Sequence, residues 1–206
     1  MESNTSSRNI SLAVLTSTLV PFGVLVAIAF LAAAHIHPLA PPPYLAPTRI
    51  LDWYRTIYTA WVTIILLTPA LCLYVWRPST PNGHNYWLLL WTCSYLAYLI
   101  HFYWALFVFF AGDLDEVFNS PMVRSPRFNF FLTSWWSLDI LLAWLVRSNP
   151  KWVTLQRAAL HLVILVAFFV GSVVEGKGLG IGLGIVMTAS VSFCLVWRLI
   201  SRTKNS

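Results

Sequence analysis

Six stretches of this chain are long and apolar enough to cross a bilayer as helices, and no other feature constrains its fold as strongly. They cover about 10–34, 57–76, 87–112, 128–146, 158–174 and 179–200. A helix needs roughly 17 to 25 apolar residues to span the hydrocarbon core. Lipid offers no partner for a backbone N–H or C=O, so a span must satisfy its own hydrogen bonds. The expected fold is all-α, a polytopic transmembrane bundle of six helices forming a single domain over residues 1–206.

The connections agree with this division. Proline punctuates the first linker at Pro38, Pro41, Pro42 and Pro43, the second at Pro78 and Pro81, and the third at Pro121 and Pro126. Proline lacks a backbone donor and clashes with the preceding helical turn, so these segments break the helices. Arg147, Asn149 and Pro150 read as a helix end. The fifth linker, from Glu175 to Gly178, is short enough to make the last two spans a tight antiparallel hairpin. The first stretch exceeds the roughly 7 to 15 apolar residues of a signal peptide and is expected to be a retained helix.

Charge excludes some functions. Only 10% of the residues are charged, against about 25% in a typical soluble domain. The net charge of +6 forms no patch, because the cations sit at the ends of apolar stretches. Nucleic-acid binding is therefore not expected. The N-terminus, the second and fourth linkers and the C-terminus carry eight cations: Arg8, Arg77, Arg147, Lys151, Arg157, Arg198, Arg202 and Lys204. The opposite side carries five, with more acidic residues. Cations are retained on the cytoplasmic side, so both termini are expected there. The cysteines Cys72, Cys93 and Cys194 show no paired spacing and read as small buried apolar residues.

Ionisable groups inside a membrane are costly and mark functional sites by default. Three fall within spans: His101 in the third, Asp139 in the fourth and His161 in the fifth. On the third span, Trp87, Trp91, Ser94, Tyr98 and His101 repeat at intervals of three or four, the spacing of one helix face. On the fourth span, Asn129, Leu132, Trp136 and Asp139 do the same. The two faces are expected to meet, forming an intramembrane polar site from Tyr98, His101, Asn129, Asp139 and His161. An ordered string of these groups would suit proton movement or a structural network. A haem held by both His101 and His161 would need them at one depth, and they are offset by about 15 Å at the α-helical rise. Single-histidine ligation stays open.

His35, His37, Asp113, Asp115 and Glu116 on the outer side are weak metal-ligand candidates, since imidazole and carboxylate can share a divalent ion. Gly178, Gly180, Gly182 and Gly184 open the sixth span as two overlapping GxxxG patterns, which allow close helix packing within the chain or in an oligomer. No strand precedes them and no Lys-Ser/Thr follows, which argues against a phosphate loop. No nucleophile and base stand in a catalytic arrangement, so no enzyme activity is expected.

Asn129-Phe130 followed by Thr133, Trp136 and Asp139, with Leu99-Ile100-His101 before it, resembles a family of uncharacterised bacterial integral membrane proteins. The resemblance covers the third and fourth spans, about a quarter of the chain. It implies a bacterial inner-membrane location and no particular activity. Where that family carries further histidines, this chain has Phe107, Phe109 and Phe110. Three functions follow as expectations. The first is proton-linked transport or sensing through the polar site. The second is a non-catalytic subunit of a membrane complex. The third is a haem- or metal-binding electron-transfer subunit.

Overall fold

The computed structural model describes residues 10–76, 80–146 and 150–203. Within them the chain is all-helical: α1 (Leu12–His35), α2 (Ile50–Trp76), α3 (Pro81–Tyr103), α4 (Leu114–Asn119), α5 (Pro126–Leu145), α6 (Lys151–Phe169) and α7 (Leu179–Thr203). Among the described residues, six helices are long and apolar enough to cross a membrane, with α4 a short helix in the third linker. The chain is thus a six-span α-helical bundle of integral-membrane character.

Several helices begin earlier than hydropathy places them. Ile50, not residue 57, opens α2, after a single 3₁₀ turn at Pro47–Arg49. α3 opens at Pro81, where proline costs no hydrogen bond, with the Thr80 hydroxyl accepting from the Gly83 amide at 3.2 Å. Likewise α6 opens at Lys151, seven residues before the apolar stretch. The added turns carry Asp52 and Arg55 in α2 and Lys151, Gln156 and Arg157 in α6, where an apolar run stops although the helix does not. Arg8, Arg77, Arg147 and Lys204 lie outside the described residues.

α2 is the centre of the bundle and α1 its edge. In their most apolar windows, 56% of α2 residues are buried but only 17% of α1 residues. α2 packs against α1, α3 and α7. A hydrogen-bond ladder joins the antiparallel α3 and α5. Trp91 reaches Asp139, the Trp144 indole donates to Thr92 Oγ1 at 3.0 Å, Tyr95 meets Ser137, and Tyr98 meets Thr133. Cys72 and Cys194 approach each other across the α2–α7 seam, a pairing that sequence spacing does not reveal.

Two helices end in π-helical turns, wider than α. Trp104–Phe109 continues α3, and Val170–Val174 continues α6. Phe110 N–H donates to the Ala105 carbonyl and Glu175 N–H to the Val170 carbonyl, five residues back in each case. After the first turn the chain reverses through Ala111 and Gly112, both left-handed at φ 53° and 77°. Such turns are rare and frequent at functional sites.

Candidate functional site

The polar residues of the spans separate into two sites. The closed site lies between α3, α5 and α6. Asp139 is fully buried on α5, and Arg157 on α6 is 7% exposed. Arg157 Nε donates to Asp139 Oδ1 at 3.0 Å, and Gln156 Nε2 donates to the same oxygen at 2.6 Å. Trp91 Nε1 donates to Oδ2 at 2.9 Å. Asp139 is therefore a carboxylate that only accepts, held by a guanidinium and two neutral donors. Arg157 also lies over the Trp87 ring, 5.1 Å from its centroid, an attraction of cation to ring quadrupole.

His161 completes this site. Its ring is stacked between Tyr74 at 3.8 Å and Trp91 at 3.9 Å. Its Nδ1 lies 2.7 Å from the Arg157 carbonyl; a carbonyl only accepts, so Nδ1 carries the proton. Nε2 is buried without a hydrogen-bond partner. Both ring faces are covered, so His161 acts as a packed wall rather than an exposed base. Arg157 belongs to this interior and is not a surface cation; the hydropathy boundary at residue 158 placed it at the membrane edge, but α6 begins two turns earlier.

Trp91 and Trp136 give a direct test of the carboxylate contacts. Both rings are fully buried, yet the Trp136 N–H has no hydrogen-bond partner while that of Trp91 is bound to Asp139. Trp91→Phe is expected to lower thermal stability in detergent more than Trp136→Phe, by about 1.5–3 kcal/mol, the range for hydrogen bonds to charged groups. Equal losses would mean that the indole N–H contributes nothing to holding Asp139.

The open site holds the other candidates. Tyr98 meets Thr133 Oγ1 at 3.1 Å and donates to the Asn129 carbonyl at 3.3 Å. Asn129 thus joins the α3–α5 contact through its backbone. His101 makes its hydrogen bond to α2 rather than to α5. Its Nδ1 donates to the Thr56 carbonyl of α2 at 2.8 Å, so the neutral ring leaves Nε2 as an acceptor. The expected single string from His161 through Asp139 to His101 is not formed. Asp52, one turn before Thr56 on α2 and outside the expected site, accepts from Arg55 at 3.0 Å and from Trp104 Nε1 at 3.2 Å.

Tyr98, His101 and Asn129 line a half-open cavity of about 1360 Å³. Ligand sites in proteins are about 300–1,000 Å³ and mostly apolar with a few polar groups. Thr56, Thr63 and Ser172 add to the polar lining, and Trp61, Phe102 and Phe130 to the aromatic one. Both π turns border it, through Ala105 and Phe109 and through Val170 and Ser172. At its mouth stand Arg124, Glu175 and Lys177, with Arg124 paired to Glu175.

The metal candidates disperse into structural roles. His37 stacks on Tyr54 at 4.4 Å and contacts the Ala33 carbonyl at 3.2 Å. Asp113 caps α4 by accepting from the Glu116 amide at 3.0 Å, while Glu116 pairs with Arg49. Asp115 accepts from Asn119 through its carbonyl. His35 ends α1. Among the described residues no group of three or more His, Cys, Asp or Glu could hold a metal ion.

The four glycines divide by face. A Cβ on Gly180 would stand 3.1 Å from Trp61 Nε1, and one on Gly184 only 2.0 Å from Ser172 Oγ. Gly182 has open space, and Gly178 takes a left-handed φ of 56° before α7. A Cβ on Gly178 would also stand 2.8 Å from Leu39 Cδ2, so Gly178, Gly180 and Gly184 are each closely approached within the chain and Gly182 is not. No family model matches the chain, and no curated protein or solved structure does.

Proposed function

We propose that this membrane protein binds a small amphipathic molecule in the cavity and carries out proton-linked transport or sensing there, with His101 as the proton-accepting contact. The observation carrying the reading is the polar face of Tyr98, His101 and Asn129 on a cavity bordered by both π turns. His101 Nε2 is an acceptor on that wall, whereas Asp139 has its oxygens committed to Trp91, Gln156 and Arg157. The proton-linked role thus rests on His101, and Asp139 and His161 hold the helices that shape the cavity. Cation counting supports cytoplasmic termini, with the cavity mouth on the far side of a bacterial inner membrane. Moving Arg157 to the interior removes one of the eight cations and leaves the bias in the same direction.

The test is reconstitution into vesicles containing a pH-sensitive dye, with amphiphiles added at several pH values. His101→Phe is expected to reduce any amphiphile-dependent proton signal to that of protein-free vesicles, while His161→Phe, if it folds, retains it. A signal unchanged in His101→Phe would sink the proposal.

A second reading, a subunit of a membrane complex or homo-oligomer, is favoured by α1. Val20, Val24, Ile28 and Leu31 form an exposed stripe on a helix with little burial of its own. Mass measurement of the particle in mild detergent tests it, and a monomer without other chains would count against it.

A further inference from the structure

The cavity is not sealed from the side. Leu162 and Val166 line it, yet they are 62% and 52% exposed. Inner wall and membrane-facing surface are therefore continuous between α5 and α6. Trp135, Asp139, Gln156 and Arg157 tie these helices together at one end. At the other, the Arg124–Glu175 pair joins the segment before α5 to the end of the α6 π turn. Between the two ties runs an apolar slit. From Asn129 to the first of the inner ties, at Trp135, it extends about 9 Å at the helical rise.

The two ends of the cavity differ in chemistry. The mouth bears Lys177, which has no ion-pair partner among the described residues, beside the neutralised Arg124–Glu175 pair. His101 and Ser172 lie toward that end. Toward the middle of the spans the lining turns apolar, with Ile64, Leu132, Leu162 and Val163. One net positive charge at headgroup level above an apolar slit matches the polarity of an anionic lipid.

We infer that the cavity takes an anionic lipid from the bilayer, admitted sideways between α5 and α6, with its headgroup at Lys177 and its chain along Leu162 and Val166. The inference rests on the proposed ligand-binding role of the cavity and names the class of ligand. A lipid already in the bilayer needs no aqueous path, and the exposed wall residues lie where its chain would slide in. The Arg124–Glu175 pair then marks the headgroup end of the slit.

The test uses phosphatidylcholine vesicles doped with either phosphatidic acid or phosphatidylcholine bearing a diazirine in its acyl chain, with adducts mapped by peptide mass spectrometry. The anionic probe is expected to label residues 128–132 and 162–172 about fivefold more than the zwitterionic one, the preference one lysine near a bilayer surface gives. Lys177→Ala should bring that ratio close to one. Val166→Trp should reduce cavity adducts while leaving those on the exposed stripe of α1 unchanged. Equal labelling by both lipids overturns the headgroup assignment. Labelling of the slit no greater than that of α1 overturns sideways admission. A water-soluble short-chain diazirine amphiphile is run in parallel. Cavity labelling by that probe alone overturns the lipid inference but leaves the ligand-binding role standing. Labelling by no probe defeats both.

Discussion

Asp139→Leu should leave the bundle about 6–20 °C less heat-stable in detergent, the shift expected for a loss of about 3–5 kcal/mol in a chain of this size. The loss comes from the partner left behind. Arg157 is 7% exposed, cannot shed its charge, and would face an apolar side chain in place of the carboxylate. The donors of Trp91 and Gln156 would lose the same acceptor. Replacing both ions, Asp139→Leu with Arg157→Met, should restore most of the stability, because a buried ion pair contributes little beyond an apolar pair of similar volume. A single variant as stable as the parent would mean that the pair does not hold α5 to α6. A double variant no better than the single one would assign the loss to packing around Trp136 and His161 instead.

The second large effect is a reversal of sign between two glycines only two residues apart in sequence, about 200° apart around α7 and so on opposite faces. Gly→Ala inside a helix normally stabilises by about 0.4–1 kcal/mol, because alanine loses less backbone freedom on folding. Gly182→Ala should do so, since nothing stands within 4 Å of the added carbon. Gly184→Ala should destabilise by about 1–3 kcal/mol, the range for overpacking. Its Cβ would lie 2.0 Å from Ser172 Oγ, 2.9 Å from Ser172 Cβ and 2.7 Å from Val173 Cγ2. Ser172 cannot swing freely aside, because its hydroxyl bonds to the Phe168 carbonyl. Thermal unfolding of the two variants in one detergent decides the matter. A stabilising Gly184→Ala would mean that α7 and the π turn of α6 are further apart than described.

The spans were legible because lipid imposes a length and a polarity on each one. Helix ends were less so, since hydropathy stops at the first charged residue while the helix continues. That is why Arg157, which shares a helix face with His161, is still counted among the cytoplasmic-side cations and turns out to be the partner of Asp139. Faces were legible over two turns and lost over three. Trp91 and Tyr98 lie about 20° apart around α3, but His101 is about 80° from Trp91 at 3.6 residues per turn. That difference turns His101 from α5 to α2, and a stripe at intervals of three and four residues does not display it. The pairing of Asp139 with a cation and two side-chain donors depends on which helices are neighbours, which no single span records.

The two π turns add a dependence that hydropathy cannot see. Each holds one residue more than an α-helix would need over the same stretch, and one residue is about 100° of rotation. The directions in which the chain leaves α3 toward Asp113 and α6 toward Glu175 are therefore set by residue count as much as by residue type. A chain shorter by a single position within residues 104–109 or 170–174 would keep all six spans and the same apolar profile. The segments that follow, which carry Asp113 and Glu175, would leave their helices turned by about 100°.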